Sequence, residues 1–184
     1  MRYPEGHKEE VRKRILAATA KALRAKGLDG VSIPMLMKAA GLTHGGFYSH
    51  FENRDELVAE AIRLAAETTD RGALSDDQSL AESVERYLSP GHVAHPEMGC
   101  VLAALGSSGP KQQAPVRRAF ADVALGFIRG LERKLHPASP AGELSDEALA
   151  KAATLVGAVM LARLLRDKAL AGRLLEAAKR HVLA

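Results

Sequence analysis

The stretch GLTHGGFYSHF, residues 41–51, gathers side chains suited to a polyanion. Thr43 and Tyr48 bring hydroxyls, and His44 and His50 bring imidazoles. Between them stand Gly45 and Gly46. Glycine costs about 1 kcal/mol per helical position relative to alanine, so the pair costs about 2 if both are helical. Missing side chains let a backbone and its neighbours come close to another surface. A second set, His92, His95 and Cys100, has metal-ligand chemistry, since His-x-x-His followed by Cys can supply three zinc ligands. The breakers Gly91 and Pro96 leave its geometry open. Cys100 also lies near the start of a short helix, where a thiol pKa can fall. The opposing reading is an inert buried thiol. No Gly-rich phosphate loop, second acidic cluster or Ser-His-Asp arrangement is evident, so neither an enzyme nor a resident cofactor or metal is expected.

Periodicity supplies the elements that must hold these residues. Residues 7–26 form an amphipathic pattern with Val11, Ile15, Ala18, Ala22 and Leu23 on one side, and Gly27 is a plausible stop. Ser32 can cap a second helix with Pro34 in its first turn, carrying Met35, Leu36 and Ala39 and ending at Gly41. Thr43 can cap a third, short helix through about His50. Asn53 and Glu56 have capping-box spacing ahead of Leu57, Ala61, Ile62 and Leu64. Two short helices joined by a tight Gly-containing turn are the helix-turn-helix signature.

Beyond residue 70, RGALSDDQS reads as a loop. Residues 76–89 read as a helix ending at Ser89-Pro90-Gly91, and a short apolar helix is expected near 97–106. A long helix over 114–136 aligns Val116, Phe120, Val123, Phe127 and Leu131. The loop HPASPAGELS then leads to helices at roughly 144–167 and 168–182. The expectation is an all-α chain of about nine helices.

Composition agrees. The 184 residues are 47% hydrophobic and 26% charged, with aromatics at 4%, and Ala and Leu dominate. The single cysteine excludes an internal disulfide framework and suits a reducing cytosol. No apolar run follows the N-terminal charges. The longest nearly apolar run, 153–162, is about half of what a bilayer-spanning helix needs. A cytoplasmic protein without a membrane partner is expected. Net charge is +4, but residues 1–54 hold ten basic and five acidic groups, leaving −1 for the rest. A basic N-terminal third on a near-neutral body suits a nucleic-acid partner.

The segment AAGLTHGGFYSHFENRDELVAEAI resembles the DNA-binding region of the TetR family of transcriptional regulators. The shared pattern runs through Gly41, Leu42, Thr43, His44, Gly45, Gly46, Phe47, Tyr48, His50, Phe51, Arg54, Glu56 and Leu57. The resemblance covers about residues 8–64. It implies an N-terminal three-helix DNA-binding domain over 1–54 with a helix-turn-helix. A helical ligand-binding and dimerisation domain would occupy 55–184. Residues 43–50 become the recognition helix. Ser32, Thr43, Tyr48 and His50 become phosphate contacts, His44 a reader of base edges, and Arg54 a backbone clamp, with Gly45 and Gly46 giving clearance. Phe47 and Phe51 are expected in the core.

In the second half, Tyr87, His92, His95, Met98, Cys100, Phe120, Phe127 and Met160 are the candidates to line a pocket for an unknown small-molecule effector, or else plain core. Residues 153–162 are apolar nearly all round, and the last helix repeats Leu170, Leu174, Leu175, Ala178 and Val182. With Leu155 and Val159 these offer a four-helix homodimer interface, or alternatively finish a monomer core. A two-fold dimer on a palindromic operator, released as a repressor by an effector or an electrophile at Cys100, is the functional expectation. A metal protein built on His92, His95 and Cys100, and a non-specific chromosome-coating protein, are the competing readings.

Overall fold

The structure, a computed structural model, describes residues 6–70, 75, 77–138, 140 and 142–184. Among them are nine α-helices and no strand. The helices are α1 (His7–Lys26), α2 (Ile33–Ala39), α3 (Arg54–Asp70), α4 (Leu80–Tyr87), α5 (Pro90–Ala94), α6 (Val101–Leu105), α7 (Ala114–Leu135), α8 (Asp146–Leu164) and α9 (Lys168–Leu183). Short 3-10 segments cover His44–Ser49, Pro96–Met98 and Gly106–Lys111. The expected loops at 71–79 and 136–145 lie partly outside the described residues.

The chain is all-α, as its periodicity requires. The expected count of nine is met with one exchange. The third helix is a 3-10 turn rather than an α-helix, and α5 is an addition. Ser89-Pro90-Gly91 was expected to stop a helix, yet it also starts one. The Ser89 hydroxyl accepts from the His92 N–H at 3.2 Å, and Pro90 occupies the first turn, where its missing N–H costs nothing. The preceding helix begins later than expected, at Leu80, because Ser79 and Glu82 form a reciprocal capping box there.

Two apolar cores organise the bundle. The first joins Val11, Ile15 and Leu23 of α1 and Leu36 and Met37 of α2. Phe47, Phe51, and Leu57, Val58 and Ile62 of α3 complete its N-terminal part. It continues into Val101 and Leu105 of α6 and Val116, Ala119 and Phe120 of α7. The second joins α4, α7, α8 and α9 around Tyr87, Phe127, Leu131, Leu155 and Val159. The long α3–α7 contact ties the two together. Phe47 and Phe51 are buried in the core as expected, at 0% and 2% exposure.

The helix faces are turned slightly from their expected positions. In α1 the interior takes Thr19 and Ala20, leaving Ala18 and Ala22 half-buried. In α2 it takes Leu36, Met37 and then Ala40, not Met35 and Ala39. Gly27 ends α1 at φ 79°, and Gly41 follows α2 at φ 73°, a backbone conformation only glycine adopts cheaply.

Candidate nucleic-acid interface

Thr43 precedes the 3-10 turn with extended backbone, as Ser32 precedes α2. Neither hydroxyl makes the capping hydrogen bond that this position usually uses, and both residues are exposed. Their oxygens therefore remain available to an external group. The turn is closed instead by the Ser49 hydroxyl donating to the Gly46 carbonyl at 2.7 Å. Phe47 points inward, while Tyr48 is 68% exposed with its ring edge-on to Phe47. His44 opens the turn, but its side chain lies outside the described residues.

The two glycines differ. A Cβ on Gly45 would meet nothing within 4 Å. One on Gly46 would lie 3.8 Å from Met37 Cε and 3.9 Å from Thr43 Oγ1. Gly45 is thus the outward position, and Gly46 packs on α2. The open space at this pair therefore lies at Gly45 rather than Gly46.

His50 is half-buried at the end of the turn, and its buried Nδ1 has no partner. Burial lowers its pKa first, and the cations Lys8 and Arg12, with His7, lower it further. The imidazole is neutral at pH 7 and lies beside the basic start of α1. Arg54, expected as a phosphate clamp, is half-buried and donates to the Leu28 carbonyl. It fastens α3 to the α1–α2 turn. Asn53 caps α3 as expected, its Oδ1 accepting from the Glu56 N–H at 2.9 Å. The Glu56 carboxylate, however, reaches back to the Glu52 N–H at 2.6 Å rather than to Asn53.

Sequence reasoning missed Arg12. Its guanidinium forms a forked pair with Glu60, 2.6 Å in one arm, and reaches Glu56 at 3.4 Å and the His50 carbonyl at 3.3 Å. It also stacks 4.5 Å from the Phe51 ring centre. The hydrogen bond to Glu60 holds the Arg12 pKa up. One side chain thereby joins α1, the end of the turn and α3. Forked, stacked pairs of this kind exceed ordinary surface pairs. Arg12→Ala is expected to lower stability by about 1–2 kcal/mol, a fall of about 3–6 °C in Tm for a chain of this size. Thermal unfolding followed by circular dichroism measures it.

The second set of sequence candidates divides. Thr69, Arg86, Ser89, His92, Met98 and Cys100 are among the residues lining a cleft of about 410 Å³. His95 reaches the same cleft. Tyr87 and Phe127 are core residues whose rings meet at a tilt of 48° with centroids 5.5 Å apart, and Met160 is half-buried against that core. Phe120 belongs to the other core, packed on Gly109, and does not line the cleft.

His92 is fixed at both nitrogens. Nδ1 lies 2.6 Å from the Tyr87 carbonyl, and Nε2 accepts the Cys100 N–H at 2.9 Å. This pairing requires the neutral tautomer with the proton on Nδ1. Burial lowers its pKa, in the same sense. The Nδ1 proton and the Nε2 lone pair are thereby both engaged, so His92, His95 and Cys100 are not arranged as metal ligands. Cys100 caps α6 but is 2% exposed, and burial pushes its thiol pKa up. Desolvation outweighs any effect of the short helix. The thiol is expected to react with iodoacetamide at pH 7.5 at least about tenfold more slowly than in the urea-unfolded chain, checked by mass spectrometry. Equal rates would restore the electrophile reading.

The expected dimer residues divide as well. Leu155, Val159, Leu175 and Ala178 are buried within this chain's own core, which excludes them from an interface. Leu170 is 42% exposed and Leu174 is half-buried. The exposed apolar stripe of α8 runs instead through Ala153, Gly157, Leu161 and Leu164, the last 76% exposed.

Two helices followed by an exposed 3-10 turn, set on a larger helical body, form the helix-turn-helix arrangement. Residues 15–61 match the family described as bacterial regulatory proteins, tetR family. That match covers the helix-turn-helix segment, where the chain is similar to the DNA-binding region of TetR-family transcriptional regulators. It is 39% identical over 64 residues to the HTH-type transcriptional regulator PksA of Bacillus subtilis (strain 168), covering 34% of this chain. That match spans 31% of PksA's length. The fold is similar to that of a TetR-family regulator from Cytophaga hutchinsonii (TM-score 0.76, 18% identity, 98% and 97% of the two chains). It is also similar to AibR, solved in complex with isovaleryl coenzyme A and operator DNA (TM-score 0.64, 13% identity, 94% and 97%). No described helix is long and apolar enough to cross a membrane.

Proposed function

We propose that the chain is a repressor that binds a palindromic operator as a homodimer and is released by a small-molecule effector. Residues 1–54 would form the DNA-binding domain and 55–184 the ligand-binding and dimerisation domain. The observation that carries the reading is the turn at 44–49. It presents exposed Tyr48, open Gly45 and two exposed N-cap hydroxyls, Ser32 and Thr43, on one basic unit. Hydroxyls and N–H groups contact phosphates, while the residues inside the groove read bases. His44 and His50 complete the contact set, with Lys8 at the start of α1 adding charge.

The dimer is assigned to the exposed stripe of α8 with Leu170 and Leu174 of α9. Small residues at Ala153 and Gly157 would let the two copies of α8 approach closely. A gel shift on DNA upstream of the protein's own reading frame tests the function. A palindromic segment must compete better than random DNA at moderate salt; equal competition refutes specificity.

His50 gives this reading a pH signature. In the free protein its pKa is lowered by burial and by Lys8, Arg12 and His7. A phosphate against the ring raises it again. Between the two values the complex holds more protons than the free protein, so operator affinity rises as pH falls through that interval. The expected change is about threefold to tenfold between pH 8 and pH 6, as one phosphate-paired imidazolium supplies about 1 kcal/mol. His50→Gln should flatten it. Fluorescence anisotropy at constant ionic strength measures both.

A further inference from the structure

A single run of hydrogen bonds crosses the molecule from α1 to the end of α4. Arg24 of α1 donates through Nη1 to the Gly99 carbonyl at 3.0 Å. The same peptide group offers the Cys100 N–H to His92 Nε2 at 2.9 Å. On the far side of the ring, His92 Nδ1 lies 2.6 Å from the Tyr87 carbonyl. A guanidinium can only donate and a carbonyl can only accept, so every donor in the run points the same way. Hydrogen bonds in such a series polarise one another and strengthen together. The 99–100 peptide is its centre, and both of its residues are buried.

The two ends are anchored in different parts of the fold. Arg24 is 8% exposed, and its other acceptor is the Ala20 carbonyl of its own helix, 3.2 Å from Nε. Gly99 is thus where this side chain meets the helical body. The same α1 carries Arg12, which reaches the His50 carbonyl at the end of the recognition turn. The His92 main chain is fixed to the body by Arg163 of α8, whose Nη2 donates to its carbonyl at 2.8 Å, and by the Ser89 cap. Of the groups in the run, only the imidazole changes charge near neutral pH.

A second proton on that ring must sit on Nε2, which faces the Cys100 N–H. Donor then meets donor, and the run is cut at its centre. The ring is half-buried on the wall of the 410 Å³ cleft, so solvent protons reach it. The described groups around it give a new charge little support. Arg163 of α8 and Arg24 of α1 are cations, and Arg86 of α4 lines the same cleft. Tyr87 of α4 and Cys100 before α6 are held neutral, burial pushing both pKa values up. His95 also lines the cleft, and the Glu97 carboxylate lies on His95 at 3.4 Å. Burial lowers the His92 pKa first, with Arg163 adding to the effect and the Tyr87 carbonyl opposing it. An imidazolium therefore gains by giving up the peptide.

We propose that this run is an acid-sensitive latch between the DNA-binding unit and the helical body: a proton on His92 breaks it at the 99–100 peptide, and Arg24, and α1 with it, lose their hold on Gly99. Thr69 of α3, whose Oγ1 lies 3.5 Å from the same carbonyl, is released with them. With the latch closed, α1 and the turn it braces are preorganised for DNA. With it open, binding must first order them, which lowers affinity. The latch belongs to the free chain; its consequence for an operator rests on the regulator reading above.

Nuclear magnetic resonance of the full chain without DNA tests the latch. The chain has one cysteine, so isotope-labelled cysteine gives a single amide signal, that of Cys100. Between pH 7.5 and 5.0 this signal and the Arg24 Nε–H signal should shift together, with one midpoint below the ordinary 6.5 of histidine. In His92→Phe, which keeps a ring but has no acceptor, neither should titrate. Its Arg24 signal at pH 7.5 should lie where acid places it in the wild type. A Cys100 signal that does not titrate above pH 5.0, or one that titrates without Arg24, overturns the proposal. Operator anisotropy gives the second readout. His92→Phe should bind at least about threefold more weakly than wild type at pH 7.5, and the two affinities should converge at pH 5.0. His50 is present in both proteins, so its own pH response cancels in the ratio. A ratio that stays constant over this range also overturns the proposal. If the wild type unfolds above pH 5.0, His92→Phe decides at pH 7.5, and a wild-type Arg24 signal there overturns it. If neither protein prefers a palindromic segment to random DNA, the regulator reading fails while the labelled signals still decide the latch.

Discussion

Gly45→Leu is expected to leave the fold intact and to reduce operator affinity by about 100-fold or more. The position is exposed, and a Cβ there meets nothing within 4 Å, so the free protein gains no clash. Leucine is also a better helix former than glycine, so Tm should hold or rise slightly. On DNA the same side chain would occupy the gap through which the turn approaches. Lifting the turn by even an ångström or two stretches the hydrogen bonds made by its neighbours, and each good base contact is worth about 1–3 kcal/mol. Loss of one to two such contacts gives the stated factor, since 1.4 kcal/mol is tenfold. Anisotropy with labelled operator measures it, with random DNA as control. Gly46→Leu is the informative companion. Its Cβ begins 3.8 Å from Met37 Cε, so the longer side chain must displace a fully buried methionine. That variant should lose stability as well as affinity. Wild-type affinity in Gly45→Leu would place the glycine away from the DNA.

The outcome at the two glycines shows what sequence could tell about this site. The motif was legible because a recognition segment is local: capping residues, aromatic anchors and glycines lie within a dozen positions. Which glycine faces outward was not legible. That depends on how the turn rolls against Met37 of another helix. The three helices at 114–135, 146–164 and 168–183 were legible from periodicity and Ser or Pro punctuation. The interior face of α8 was not, because a helix apolar all round has no preferred side until α5, α6, α7 and α9 choose one. Leu155 and Val159 went inward, and Leu161 and Leu164 stayed out. Arg12 left no local signal either. Its partners Glu56 and Glu60 are 44 and 48 positions away. Arg54 matched a motif position, yet the carbonyl of Leu28 claims it in the free protein. Composition suggested a pocket around His92 and Cys100 but could not show that His92 is consumed by backbone groups.

Gly99→Ala is expected to cost about 2–3 kcal/mol, at the upper end of the range for overpacking a well-filled site. The reason is the His92 ring. A Cβ on Gly99 would fall 2.4 Å from His92 Cδ2, 2.5 Å from Nε2 and 3.1 Å from Arg163 Nη2. The ring has nowhere to retreat. Nδ1 is held at the Tyr87 carbonyl, Nε2 at the Cys100 N–H, and the Tyr87 ring packs edge-on at 4.7 Å. Backbone strain plays no part, since Gly99 has φ −90°. The added methyl must therefore break the His92 bridge or push the Gly99 segment outward. Either movement reaches α1, because the Gly99 carbonyl accepts from Arg24 Nη1 at 3.0 Å and lies 3.5 Å from Thr69 Oγ1 of α3. Arg24 is thus a direct tie between the DNA-binding unit and the cleft that contains His92 and Cys100. The variant should consequently show two defects: a Tm lower by about 4–12 °C, and altered operator affinity despite an unchanged recognition turn. Lowering the pH should reproduce part of the first defect in the wild type. His92 has a pKa depressed below the ordinary 6.5 by burial, so the unfolded chain binds its proton first and stability falls as pH drops below about 6.5. In Gly99→Ala, where the ring is already displaced, that component of the acid sensitivity should shrink. Urea unfolding of both proteins at pH 7.5 and 5.5 makes the comparison. An undiminished pH dependence in the variant would mean that His92 keeps its place and that the methyl is absorbed elsewhere.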